Sequence, residues 1–155
     1  MLFGALPVDA YRFYVDPEIG DNRRHHSVAQ ASATPWRTIS HALTIAKLIT
    51  KGRPHIIDIV SGTYSPSRGE DFPFVIDQSN IYLESAGNVV FDPQGQSRAL
   101  EITVPTPDFN LRNFSFVNGV ADSGAVIYCN ACTLEVVDSH FLSNKASVGG
   151  DGIFM

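Results

Sequence analysis

Charge is scarce in this sequence and leans acidic: 17% of residues are Asp, Glu, Lys or Arg, and 11 basic against 16 acidic side chains leave a formal charge of -5. A protein that grips nucleic acid needs a basic face to displace counterions, and the one dense basic cluster is Arg23 to His26, so nucleic acid is set aside as a partner. Long apolar runs are missing too. Even "HALTIAKLIT" is broken by His41 and Lys47, short of the roughly 18 apolar residues a spanning helix needs, and no membrane span is expected. Cysteine occurs twice, as "CNAC" at Cys129 and Cys132, without the two further ligands of a structural zinc site. A thioredoxin-like role would put the pair at a helix start, whereas "GAVIY" before it and "TLEVV" after it both read as strands. A local disulfide or two packed thiols is the reading that remains.

What the sequence does have is a repeat. "NFSFVNGVADSGAVIY" (113–128) and "DSHFLSNKASVGGDGIF" (138–154) superpose at an interval of 25 residues, which aligns Phe116 with Phe141, Asn113 with Asp138, Ala121 with Ala146 and Gly124 with Gly149. A fixed period of this length marks stacked repeats, each too small to bury its apolar face without a neighbour. Three short alternating runs recur per lap. The first series is Ile81–Leu83, Phe109–Leu111 and Leu134–Val136; the second is Val89–Phe91, Phe114–Phe116 and Ser139–Phe141; the third is Leu100–Val104, Ala125–Tyr128 and Ile153–Phe154. "HIIDIV" and "FPFVI" supply an earlier, less regular lap. Three strands per lap predict an all-β fold, a parallel β-helix, right-handed by the crossover preference. Alternation sends Ile81, Leu83, Phe109, Leu111, Leu134 and Val136 inward, and Tyr82, Asn110 and Glu135 outward.

Residues 35–50 carry Ile39, Ala42, Leu43, Ala46 and Ile49 at helical spacing, with Thr34 as cap, Pro35 at the first position and Gly52 past the end. This predicts an amphipathic helix that closes the raw upper edge of the stack. The organisation expected is one domain, 1–155, with an N-terminal cap at about 11–54 and coils at about 55–155. The coil pattern is still running at Met155, which implies either an incomplete chain or a last edge covered by another chain. Residues 1–10, "MLFGALPVDA", read as the remnant of a secretion signal or as the first strand.

"YVDPEIGDN" (14–22), "TPWRTISHAL" (34–43), "SGTYS" (61–65) and "GEDFP" (69–73) resemble the N-terminal region of secreted β-helix proteins of the DUF1565 type. The "FVNGVADSGAVIY" coil is similar to those of polymorphic outer-membrane proteins and other pectin-lyase-like surface proteins. The resemblance implies an extracellular or cell-surface location. It specifies a fold that serves lyases, hydrolases, adhesins and structural proteins alike, so it names no reaction.

The outward positions are where ligands would be met. Tyr82, Asn110 and Glu135 form one expected column, and a ring beside an amide and a carboxylate suits carbohydrate. Glu84 and Arg112 are expected as neighbours on the next column, as an ion pair or, by resemblance to β-helix lyases, as part of a proton-abstracting site beside bound Ca2+. Asp138 and His140 bear acid–base groups, with Asp138 also suited to a turn; Glu101 and Asp92 are spare carboxylates for glycoside hydrolysis. Asp16, Glu18 and Asp21 read as a turn or a cation site, and Asn113-Phe114-Ser115 is a glycosylation sequon. The first expectation is a structural or adhesive surface protein that contacts carbohydrate or other copies of itself, with no cofactor and no resident metal. The alternative is a polysaccharide lyase or glycoside hydrolase using Glu84, Arg112, Glu135 and Asp138, with Ca2+ under the lyase reading only.

Overall fold

The computed structural model describes residues 6–7, 9–49, 52–105 and 109–155. Strand β1 (Tyr11–Val15) and helix α1 (Ile39–Ile49) come first. The chain then winds through β2 (His55–Tyr64) and β3 (Phe74–Ile76), then β4 (Ile81–Phe91) and β5 (Leu100–Ile102). A third lap carries β6 (Phe109–Arg112), β7 (Phe114–Val117), β8 (Val120–Ser123) and β9 (Ile127–Cys129). A fourth carries β10 (Leu134–Val137), β11 (His140–Leu142), β12 (Lys145–Gly149) and β13 (Ile153–Phe154). All the named pairings are parallel, and the whole is a β-solenoid of about 4 turns.

The period in the sequence is the vertical register of the structure. Tyr64, Phe91, Phe116 and Phe141 are successive ladder partners, with ring centroids 6.3, 5.6 and 5.3 Å apart down the column. Offset and edge-on arrangements at these distances suit the ring quadrupole, adding about 0.5–1.5 kcal/mol per pair to the burial itself. A second column runs Phe74, Leu100, Ile127 and Ile153. The inward residues of β4 and β6 are buried as expected, while Leu134 and Val136 on the last rung are half-buried against the same core. That rung has no partner strand below it among the described residues, and Leu142 and Val148 are 65% and 82% exposed.

Each lap must turn the same corner. Gly87, Asn113 and Asp138 occupy it with φ of 121°, 60° and 49°. A Cβ at Gly87 would run into the Ser61 hydroxyl, and Asn and Asp are the side chains that best tolerate the left-handed region. The stacking of Asp138 on Asn113 is thus a turn.

Three expectations are corrected. First, the later laps have four strands, not three: β8 and β12 pair with each other as a separate sheet. Their inward residues, Ala121 and Ala146, are too small to register as an apolar pattern. Second, Gly149 pairs with Ser123 rather than Gly124, because β12 bulges between Ala146 and Gly149; Gly124 and Gly150 share the left-handed turn that follows. Third, the helix begins at Ile39, four residues later than Pro35. The intervening segment is drawn into the top of the sheet: the Trp36 amide donates to the Tyr14 carbonyl (2.8 Å) and its own carbonyl accepts from Asp16 (2.9 Å). Tyr14 in turn donates to Ala29 (3.0 Å), so the upper edge of β1 is covered by this loop, and α1 contributes apolar closure through Ile39, Ala42, Leu43 and Ala46. The first lap also has a rung above it, since β1 pairs in register with β2 from Tyr11↔His55 to Val15↔Ile59. The expectation for residues 1–10 falls largely outside the described residues, and the first strand begins at Tyr11.

Two sequence motifs lock the cap. Asn22 accepts from the Arg37 and Thr38 amides (2.9 and 3.2 Å) and donates to the Thr38 hydroxyl (2.9 Å), while Trp36 Nε1 donates to the Arg24 carbonyl (2.8 Å). Gly20 is packed so closely that a Cβ would strike the carbonyl oxygens of Trp36 and Asp16. The Thr38 hydroxyl caps α1 by accepting from His41 (3.2 Å), a role the sequence had suggested for Thr34. The buried Glu70 carboxylate completes the cap, taking the Ile39 and Ser40 amides (2.8 and 2.9 Å) and the Ser40 hydroxyl (2.6 Å).

Candidate functional site

The outward side of β1, β2 and β4 is a flat wall on which charged and aromatic side chains gather. Alternation leaves Phe13, Ile57 and Leu83 in the core and turns Arg12, Tyr14, Asp58, Tyr82 and Glu84 to the outside. Arg12 sits between two carboxylates, bonded to Asp58 at 2.8 Å and to Glu84. Burial pushes the Asp58 carboxyl up, against the lowering pull of Arg12. The guanidinium therefore stands where a bridging cation would otherwise stand, and one of its two acids is largely sheltered. Strand β6 continues the wall below β4, held there by the Ser85 hydroxyl donating to the Arg112 carbonyl (2.6 Å).

The expected columns are met in part. Asn110 and Glu135 are ladder partners on this face, while the ladder partner of Tyr82 is Ile56 on β2. Glu84 pairs with Arg12 rather than with Arg112, and Arg112 reaches Asp138 at 3.9 Å. The reason is the extra rung: β1 brings Arg12 onto the same wall as Glu84, and a lap count that starts at His55 does not include it. Arg12 and Asp58 were missed, although the alternation of "YRFYV" was the signal that could have found them.

Round the corner from this wall, Asp138 and His140 line a cavity of about 270 Å³ together with Gly87, Asn88, Asn113 and Ser115. His140 is the ladder partner of Ser115, and Asn113 is exposed on the corner itself. The other carboxylates have local duties. Asp92 accepts from the Gln94 amide (2.9 Å) and the Asn118 side chain (3.1 Å), and Glu101 pairs with Arg98 (3.2 Å). Asp16 forms a turn by accepting from the Glu18 and Ile19 amides (2.8 and 3.2 Å), Glu18 pairs with Arg68 (2.8 Å), and Asp21 is bound by Arg23 (2.7 Å). Among the described residues no three His, Cys, Asp or Glu side chains form a group that could hold a metal ion. Cys129 and Cys132 are joined to each other, with Cα atoms 5.8 Å apart. No helix among the described residues is long and apolar enough to cross a membrane.

A family model matches residues 22–126, which take in the cap from Asn22 onward with α1, the Arg12-facing strands β2 and β4, and most of the first regular repeat. The chain belongs to the DUF1565 family. The family is described as proteins of unknown function. No curated protein and no solved structure matches the chain significantly. The matched region holds Asn22, Trp36 and Glu70 of the cap and strands β2 and β4 of the wall.

Proposed function

We propose that this DUF1565 chain is a structural or adhesive β-helix module of the cell surface or extracellular space, and that its β1–β2–β4 wall contacts carbohydrate. The observation that carries the reading is the wall's composition on a rigid scaffold. Tyr82 shares a flat face with the Asn110–Glu135 pair and the Arg12–Asp58–Glu84 cluster. Rings that stack on sugar C–H faces, with amides and carboxylates at the edge for hydroxyls, are what such a ligand needs. The joined Cys129 and Cys132 support an oxidising compartment.

Polysaccharide pull-down followed by calorimetry tests the reading. Tyr82→Ala should weaken binding at least about tenfold, the equivalent of about 1.4 kcal/mol. Retention by no polysaccharide in a broad panel sinks it. One observation favours a second reading, a polysaccharide-active enzyme: Asp138 and His140 line one cavity, and Arg112 lies 3.9 Å from Asp138. Release of products with an unsaturated end, with or without added Ca2+ and abolished by Arg112→Ala, would move the assignment to a lyase.

A further inference from the structure

On another side of the solenoid, a groove of about 650 Å³ runs between the β8–β12 sheet and the segment that leads through Ser97 and Arg98 into β5. It starts at Pro73 on the first full lap, passes Arg98 and Glu101 on the second and Val120 and Asp122 on the third, and ends at Lys145 and Ser147 on the fourth. Four rungs at about 4.8 Å spacing make it roughly 14 Å long, parallel to the solenoid axis. We propose that this groove is a binding site for a neutral oligosaccharide lying along the axis. The inference goes beyond the wall described above, and concerns different residues.

Three features select the ligand class. Arg98 and Lys145 are balanced by Glu101 and Asp122, so the groove offers hydrogen-bond donors and acceptors with no net attraction for a polyanion. Its polar groups are also set in place in advance. Arg98 pairs with Glu101 at 3.2 Å, donates to the Ser123 carbonyl at 3.1 Å and lies over the Tyr128 ring at 4.7 Å. Asp122 accepts from Ser147 at 2.9 Å across the two rungs. Groups held this way lose little freedom when a ligand arrives. Finally, the groove crosses the strands instead of following an edge, so an extended peptide would find no ladder groups to pair with, which is the usual source of affinity for such peptides. A chain of hydroxyls with intermittent C–H faces fits the alternation of carboxylate, ammonium and hydroxyl with the exposed Val120 and the half-buried Pro73.

The test is titration of the full chain with neutral gluco- and xylo-oligosaccharides and with a polyuronate of matched length, read by calorimetry and by amide chemical shifts. The neutral ligands should shift the Ala121 and Ala146 amides, and Asp122→Asn and Lys145→Ala should each weaken that binding about tenfold or more. Leu48→Ser, on the exposed side of α1 and away from both the groove and the wall, should leave it unchanged. The inference is overturned if no neutral oligosaccharide moves those amides, if affinity survives both groove substitutions, or if the polyuronate is preferred. Loss of neutral-sugar binding in Tyr82→Ala alone would overturn the groove and leave the wall reading standing.

Discussion

Replacing Glu70 with alanine should unlatch the N-terminal cap. The carboxylate is 4% exposed and accepts three hydrogen bonds from the start of α1, two from backbone amides and one from the Ser40 hydroxyl. Without it the Ile39 amide has no acceptor in a dry site, and the Ser40 groups, which are half-buried, are met only by what water can reach. An unsatisfied buried donor costs about 1–3 kcal/mol, so the substitution should cost about 3 kcal/mol in all. For a chain of this size each kcal/mol moves the melting point by about 2–4 °C, which gives a drop of about 6–12 °C in a thermal melt. Hydrogen exchange should report the same loss locally, as faster exchange of the Ile39 and Ser40 amides while the Phe91 and Phe116 amides keep their protection. Glu70→Gln separates charge from shape. Burial pushes the Glu70 carboxyl up, so between its ordinary value and its raised one the folded chain holds a proton that the unfolded chain has lost. Its contribution to stability is therefore full below about pH 4.5 and is lost as pH rises through the folded value. Glu70→Gln should flatten that slope while costing less than alanine. A melting point within 1 °C of the parent for Glu70→Ala would refute the reasoning, because it would mean that the helix start needs no acceptor.

Other substitutions probe other levels of the same structure. Gly20→Ala forces a Cβ against two carbonyl oxygens and should cost about 1–3 kcal/mol, measurable by denaturant titration. Phe116→Ala opens the middle of the aromatic column and should cost about 3–5 kcal/mol by the same assay, whereas Phe141→Ala, already 38% exposed, should cost clearly less. Burial pulls the His55 imidazole down, with Tyr11 and Phe13 rings packed at 5.4 and 5.9 Å, against an upward pull from the Arg53 backbone that outweighs the downward push of the Arg53 charge. His41, edge-on to Trp36, is pulled down by burial as well. Below about pH 6.5 the unfolded chain takes up protons that these histidines refuse, so stability should fall as pH drops from 7 to 5, and His55→Phe should reduce that fall.

The parts of this fold that could be read in the sequence are those in which one lap constrains the next. A core position is packed by the rungs above and below it, so like residues recur. Phe13, Ile57 and Leu83 form one such run, Leu111 and Val136 a second, and Tyr64, Phe91, Phe116 and Phe141 a third. The corner at Gly87, Asn113 and Asp138 recurs for a conformational reason, since few residues accept that φ. The capping helix was legible from its spacing, but the long-range polar contacts escaped because they join segments that do not repeat: Glu70 meets α1 from 30 residues away, and Arg12 meets Glu84 from 72. The β8–β12 sheet escaped because its inward side chains are alanines.

The outward positions follow a different rule, and that difference supports the proposal that the wall is a site. Arg12, Ile56 and Tyr82 are successive partners on one outward column, and Tyr14, Asp58 and Glu84 on the next, with no residue type repeated in either. Stacking alone does not demand such variety, because an idle face is satisfied by any run of polar residues. Ile56 is only 2% exposed although it lies outside the core cluster, so its neighbours on the outer face are folded down over it. Ordering long side chains such as Arg12 costs conformational entropy, about 1–2 kcal/mol each, and a bare surface ion pair returns at most about 1 kcal/mol. Arg12 instead bonds Asp58 and Glu84 together, and Asp58 is largely sheltered, so the outer face of β1, β2 and β4 is held in one arrangement, as the proposed carbohydrate contact requires.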